Sequence, residues 1–238
     1  MDERRAERFL ELYRRLEEAL KQRGFRNGRS SVVMQFMNTR EGSAFKEELN
    51  TCREMRNILS HSPDINGDPP LIPSQGAMEA LEEAVRYLEH PPLALEFAAK
   101  GQSLITVGLE TAVCGLMKTM RKTGYSHIPV LEDGRLMGVF SISTLFSHVL
   151  DWQSVNLELT TPLRDFADYL PVDRHVCESF AFAPPEATVH EAELLLENKG
   201  GPKQKRPAAL FITSDGTPEG ELLGMVTPWD LLGKTGEA

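Results

Sequence analysis

The feature that most constrains this chain is a pattern that occurs twice. TGYSHIPVLEDGRLMGVFSISTLF (123–146) and KRPAALFITSDGTPEGELLGMVTPWDLL (205–232) each contain an apolar run, an Asp-Gly turn, a second apolar run and a hydroxyl residue opening a helix. That order describes a hairpin followed by a helix N-terminus. Upstream, LITVGLETAVCGLM (104–117) and FAFAPPEATVHEAELL (180–195) form a second matching pair, each a strand running into a helix. The offset grows from 77 residues (Thr106 to Ala183) through 82 (Asp133 to Asp215) to 86 (Gly138 to Gly224), as insertions would produce. The unit is β-α-β-β-α, present twice. Residues between the copies, including the amphipathic piece LRDFADYL, form a connector.

The N-terminal third has a different texture. Phe9, Tyr13, Leu16 and Leu20 recur at helical spacing, and the pattern stops near Gly24. Val32 to Met37 is short and apolar, and suits either a helix or a strand. Phe45, Leu49, Cys52 and Leu59 mark a second helical row with Arg56 upon it, ended by Ser62-Pro63, because the residue before proline is driven out of the α region. Ser74 is placed to cap a third stripe, Met78, Leu81, Val85 and Leu88, closed by His90-Pro91-Pro92. The predicted class is α+β. An all-helical bundle occupies 1–92, a first repeat 93–150, a connector 151–178 and a second repeat 179–238.

Charge and cysteine use narrow the function classes. Residues 1–75 carry 13 Lys+Arg against 12 Asp+Glu, whereas the remainder carries 13 against 23. Such an acidic C-terminal part is ill suited to coating nucleic acid, which needs clustered cations. A polyanion site is therefore expected to be local, with Arg4, Arg5, Arg8, Arg14, Arg15, Arg23, Arg26 and Arg29 the candidates. Cys52, Cys114 and Cys177 lie far apart without CxxC spacing, which fits a reducing cytoplasm and argues against a structural zinc site. No apolar run has the length of a membrane span, and the expected location is cytoplasmic.

The two repeats resemble a tandem pair of cystathionine-β-synthase (CBS) domains over roughly residues 93–233. The signature of that family is Gly, two apolar residues, Ser or Thr, two residues, then Asp; Gly224-Met225-Val226-Thr227-Pro228-Trp229-Asp230 matches it throughout. The resemblance implies two halves related by a pseudo-twofold axis and a regulatory ligand of the adenosine type: AMP, ADP, ATP or S-adenosylmethionine. Independently of the family, Thr227 is placed to cap a helix whose exposed amides would await an anion. The Asp230 carboxylate offers two acceptor oxygens to the hydroxyls of a ribose. In the first copy Gly138-Val139-Phe140-Ser141-Ile142-Ser143-Thr144 has Thr144 where the aspartate should be. One good cleft is therefore expected, formed mainly by the second repeat with help from Thr106 and His127. Ser141, Ala183 and Ala209 are the further ligand-binding candidates by correspondence, and Lys203, Lys205 and Arg206 are near enough in sequence to meet phosphates. ENKGGPKQKRP, rich in Gly, Pro and Lys, reads first as a solvated, mobile connector.

Arg56-Asn57-Ile58-Leu59-Ser60-His61 resembles the Arg, four to six residues, His signature of HEPN domains, helical bundles that include metal-independent endoribonucleases acting as dimers. The resemblance implies a homodimer. It also implies either a dimerisation scaffold under nucleotide control or a ribonuclease acting on RNA through Arg56, Asn57 and His61. Histidine can serve as base and arginine's fork can hold two phosphate oxygens. Five positions on an ideal helix turn about 140°, so Arg56 and His61 would converge in one chain only if the helix frayed before Pro63.

Overall fold

The computed structural model describes residues 2–64, 66–152, 157–197 and 205–232. The chain divides between Pro92 and Leu93 into two compact units. Among the described residues no helix is long and apolar enough to cross a membrane.

The first unit is helical: α1 (Asp2–Gln22), α2 (Val32–Met37), α3 (Lys46–His61) and α4 (Gln75–Glu89). The short run at 32–37 is thus a helix, capped by the Ser31 side chain, which accepts from the Met34 amide at 3.2 Å. The expected stripes converge on one core, in which Phe9, Leu16, Leu20, Val33, Phe36, Leu49 and Leu81 are fully buried. Ser74 caps α4 by accepting from the Ala77 amide at 3.2 Å. Exposed ion pairs Arg8–Glu82 (2.9 Å) and Arg15–Glu89 (2.8 Å) join α1 to α4; pairs of this kind add little stability but consume cationic surface.

The second unit holds both repeats. After α5 (Ala94–Phe97) come α6 (Val113–Thr123), the hairpin β1 (His127–Glu132) and β2 (Arg135–Ser141), and α7 (Ile142–Trp152). The second copy is β3 (Ser179–Ala183), α8 (Val189–Glu197), β4 (Pro207–Thr213), β5 (Leu222–Val226) and α9 (Pro228–Leu231). The β1–β2 turn is Asp133-Gly134, both at positive φ (51° and 79°), as a two-residue hairpin requires. β3, β4 and β5 form one sheet with β3 parallel to β4, whereas the first copy has only the β1–β2 pair. The leading strand expected at 104–107 is reduced to a single parallel bridge, Val107 to Val130. Proline explains it. The Val107 amide donates to the Pro129 carbonyl at 3.1 Å, but Pro129 has no N–H to return the next ladder bond. Its counterpart Phe211 does, and β3 pairs along its length with β4.

Each repeat is completed by chain expected to belong elsewhere. Residues 93–99, the start of the expected first repeat, pack with the second: Ala94 and Ala98 share a core with Val189, Leu210, Ile212 and Val226. Ala99 and Met225 exchange backbone hydrogen bonds of 2.9 and 3.0 Å. Conversely Leu163, Phe166 and Leu170 of the connector, on a 3-10 turn (Leu163–Tyr169), share a core with Val113, Ile128, Val130 and Phe140 of the first repeat. The Val139 amide donates to the Leu170 carbonyl at 2.8 Å. The two sheets then meet through Val139, Ala209, Phe211 and Met225.

This crossing accounts for the glycine of each copy. A Cβ on Gly224 would stand 2.9 Å from the Ala98 Cβ and 3.2 Å from Leu95 Cδ1, and one on Gly138 would collide with the Leu170 backbone. Gly138→Ala and Gly224→Ala are each expected to destabilise the protein by about 1–3 kcal/mol through overpacking. Gly28→Ala, with nothing within 4 Å of the added methyl, should leave the melting temperature nearly unchanged; thermal denaturation of the three variants checks this.

Candidate functional site

Thr227 follows β5 in extended conformation, and Pro228 occupies the first helical position of α9, where a missing N–H costs nothing. Asp230 closes the turn: its Oδ2 accepts from the Thr227 amide (2.7 Å) and from the Thr227 hydroxyl (2.7 Å). The expectation of exposed amides awaiting an anion is therefore corrected. The chain's own carboxylate already takes the Thr227 N–H, and α9 is a single turn.

These residues border a cavity of about 370 Å³. Its opposite wall comes from Leu104 and Ile105 and from Tyr125, Ser126 and His127, with Ala99 and Met225 at the crossing described above. Trp229 (81% exposed) and Tyr125 (44%) present aromatic surface at the solvent side. The first repeat contributes more of this lining than the second, contrary to the expected balance. Physically, the Ala99–Met225 pairing lays the segment leading to Ser103–Ile105 across the end of β5.

Of the sequence candidates, the structure gathers His127, Thr227 and Asp230 around the cavity. Thr106 is exposed and its neighbours Leu104 and Ile105 form the wall instead. Ala183 is buried in the second-repeat core, and Ala209 between the sheets, so neither faces the cavity. Lys205 donates from Nζ to the His175 carbonyl at 2.9 Å, and Arg206 is exposed. Lys203 and most of its loop lie outside the described residues.

Ser141, the counterpart of Thr227, is 1% exposed and faces a carboxylate that sequence reasoning missed. Its hydroxyl donates to Glu178 Oε1, which also meets His175 Nδ1 at 2.7 Å; Glu178 Oε2 meets His127 Nε2 at 2.7 Å. Phe180 lies edge-on to both imidazoles, with ring centroids 5.8 and 5.0 Å away. Burial would raise the Glu178 carboxyl, but hydrogen bonds from His127, His175 and Ser141 outweigh it and hold the group well below the usual carboxylate range. Thr144, standing where the second copy has Asp230, is fully buried. Its Oγ1 accepts from the Ser141 amide at 3.1 Å and donates to the Val139 carbonyl at 3.3 Å. It keeps the turn-closing half of the aspartate's role and loses the charge. A clue to Glu178 existed in its proximity to His175, but the partners from β1 and β2 are 51 and 37 residues away.

In the helical unit α3 runs unfrayed to His61, so the fraying that convergence in one chain would need does not occur. Arg56 lies with its guanidinium carbon 5.8 Å from the centre of the Tyr13 ring and its Nη1 3.4 Å from Asn57 Oδ1. His61 is exposed. The structure thus places Arg56 and Asn57 together and His61 about 140° round the helix. Burial first, then Glu17, push the Tyr13 hydroxyl up to about 12 against the opposing effect of Arg56. Of the N-terminal arginines, Arg8, Arg15 and Arg23 are paired with Glu82, Glu89 and Glu41. Among the described residues no group of three or more His, Cys, Asp or Glu is arranged to hold a metal ion.

Comparison with known proteins bears on the second unit. The family model for the CBS domain matches residues 102–151. A CBS domain occupies this part of the chain. No curated protein matches. Among solved structures, CBSX2 in complex with AMP is similar at 16% identity and TM-score 0.41, over 59% of this chain and 93% of that one. CbpB in complex with c-di-AMP is similar at 15% and 0.42, over 59% and 81%. A CBS-domain-containing protein from Agrobacterium tumefaciens is similar at 16% and 0.40, over 60% and 92%. Likeness at this level says nothing of ligand or mechanism. The CBS domain thus carries Ser126, His127 and Ser141, and the matching glycine signature of the second copy lies beyond the matched residues.

The depressed Glu178 carboxyl has a pH consequence. A group whose folded value lies below its unfolded value, here about 4.5, contributes stability that is present above that value and lost as pH falls toward the folded one. Glu178→Gln should therefore lower the melting temperature at pH 7, and its deficit relative to wild type should shrink as pH is lowered from 5 toward 3; paired thermal melts across that range check it.

Proposed function

We propose that residues 93–232 act as a tandem CBS pair that senses an adenine nucleotide or S-adenosylmethionine, and that occupancy of the cavity is passed to the HEPN-like helical unit, which serves as effector or dimerisation domain in a homodimer. The observation that carries this reading is the cavity itself. A space of about 370 Å³ falls within the range of small-molecule sites, and it joins one carboxylate, hydroxyl groups and two aromatic side chains from both repeats. Asp230 Oδ2 is held by Thr227, so the carboxylate is fixed in position and its Oδ1 offers acceptor capacity to ribose hydroxyls. Tyr125 and Trp229 offer faces on which a purine can stack.

Binding between segments of the two repeats gives a route to regulation. A ligand touching both walls stabilises one relative placement of Ser103–Ile105 and Thr227–Asp230, and only such differential contact can shift a conformational equilibrium. Thermal denaturation with AMP, ADP, ATP and S-adenosylmethionine tests the reading. A ligand at a hundredfold its dissociation constant is expected to add about 2.7 kcal/mol, and Asp230→Ala should remove most of that gain. Absence of a shift with all four compounds contradicts it.

A further inference from the structure

Helix α7 departs from the usual pattern of burial. Ile142, Phe146 and Leu150 are exposed while Ser143, Thr144 and Ser147 are buried, although a helix ordinarily turns its apolar stripe inward. The turn that Thr144 closes accounts for that residue. Ser147 has no such account. It is only 7% exposed, and among the described residues its hydroxyl has no hydrogen-bond partner, a costly state for a buried polar group.

Ser147 lines a second cavity, of about 380 Å³, formed by α7 and the connector. This space shares no described lining residue with the one bordered by Asp230. It lies away from the turn that follows the last strand of either repeat.

The walls carry both signs of charge. Asp151, on α7, accepts through Oδ2 from the Tyr169 hydroxyl at 3.0 Å. The Tyr169 ring also stands edge-on to His148, with ring centroids 5.4 Å apart, so the 3-10 turn is tied to α7 at this point. Asp168 of the same turn and Arg174 beyond it complete the charged lining. Arg174 is anchored by its amide, which donates to the Pro171 carbonyl at 2.9 Å. Among the described residues no ion pair joins its guanidinium to either aspartate. Leu150 and Val176, both exposed, add apolar surface to the same space.

We infer that this cavity binds a free α-amino acid with an apolar side chain. Such a molecule carries an ammonium and a carboxylate on one carbon, so it can offer a cation to Asp168 and an anion to Arg174 at once. Arginine's planar fork suits a carboxylate, and an ammonium brings three donors for the aspartates. The Ser147 hydroxyl gains the partner it lacks, and an aliphatic side chain rests on Leu150 and Val176. The two aspartates disfavour a phosphate in the same place. The inference is independent of the ligand proposed beside Asp230.

Isothermal titration calorimetry of the full chain with L-leucine, N-acetyl-L-leucine and L-leucinamide tests it. L-Leucine is expected to bind, and each blocked form, lacking one of the two charges, to bind at least about tenfold more weakly. Arg174→Gln and Asp168→Asn should weaken L-leucine binding to a similar degree. Ser147→Ala should preserve or raise the melting temperature, because it deletes a buried hydroxyl without a partner, yet bind L-leucine severalfold more weakly; a serine with a purely structural role would leave that affinity unchanged. No binding of L-leucine at millimolar concentration overturns the inference, and so does binding of either blocked form as tight as that of L-leucine. Should a variant fail to fold, the comparison of the three compounds on the wild-type chain still decides.

Discussion

The architecture of the second unit depends on two segments laid against the strands: the start of the expected first repeat, which crosses to the second, and the end of the connector's 3-10 turn, which folds back on the first. Residues 93–99 lie on β5 with Ala98 against Gly224, and Leu170 lies on β2 against Gly138. Both contacts need backbone to approach backbone where any side chain would intervene, and glycine is the residue that permits it. The cavity follows from this arrangement. Once Ala99 is bonded to Met225, the chain continuing to Ser103–Ile105 lies opposite Thr227 and Asp230, and a ligand held there touches both halves.

Repetition does not make the two halves equivalent. In the second copy the turn after β5 is closed by an aspartate, which fastens Thr227 through one oxygen and borders the cavity. In the first copy Thr144 closes the same turn and is buried, while Ser141 is engaged by Glu178. The carboxylate that is missing from the turn thus reappears from the connector. There it links β1, β2 and the approach to β3 through His127, Ser141 and His175. One end of the pair is open and acidic, and the other is closed by the protein's own acid. Because His127 belongs both to that closed network and to the cavity wall, the two ends are joined by direct hydrogen bonds.

Much of this was legible in the sequence, and the failures have physical causes. Period-3.6 stripes located the helical core because burial of Phe9, Leu16, Leu49 and Leu81 depends only on local spacing. The Gly-x-x-Thr-x-x-Asp run located Thr227 and Asp230 because turn closure is also local. Correspondence between copies misplaced Ala183 and Ala209, since equivalent positions on two strands face a core or a sheet interface once those strands pair. Nor does it show where residues 93–99 and 163–170 pack, since Ala99 bonds to Met225 and Leu170 to Val139, partners distant in sequence. The leading strand at 104–107 failed on a single residue, Pro129, whose lost N–H ends a ladder that apolar character alone would continue. Glu178 carried only the weak local signal of His175 three residues before it, because its other partners are side chains from two strands of the preceding repeat.

Hydrogen–deuterium exchange of the full chain with and without saturating AMP tests the central claim most directly, that the ligand is held across the crossing. Simultaneous protection of amides in 103–105, 125–127 and 225–230, with no change at 141–144, is the predicted result. Protection confined to one repeat, or centred on Ser141 to Thr144, would contradict it.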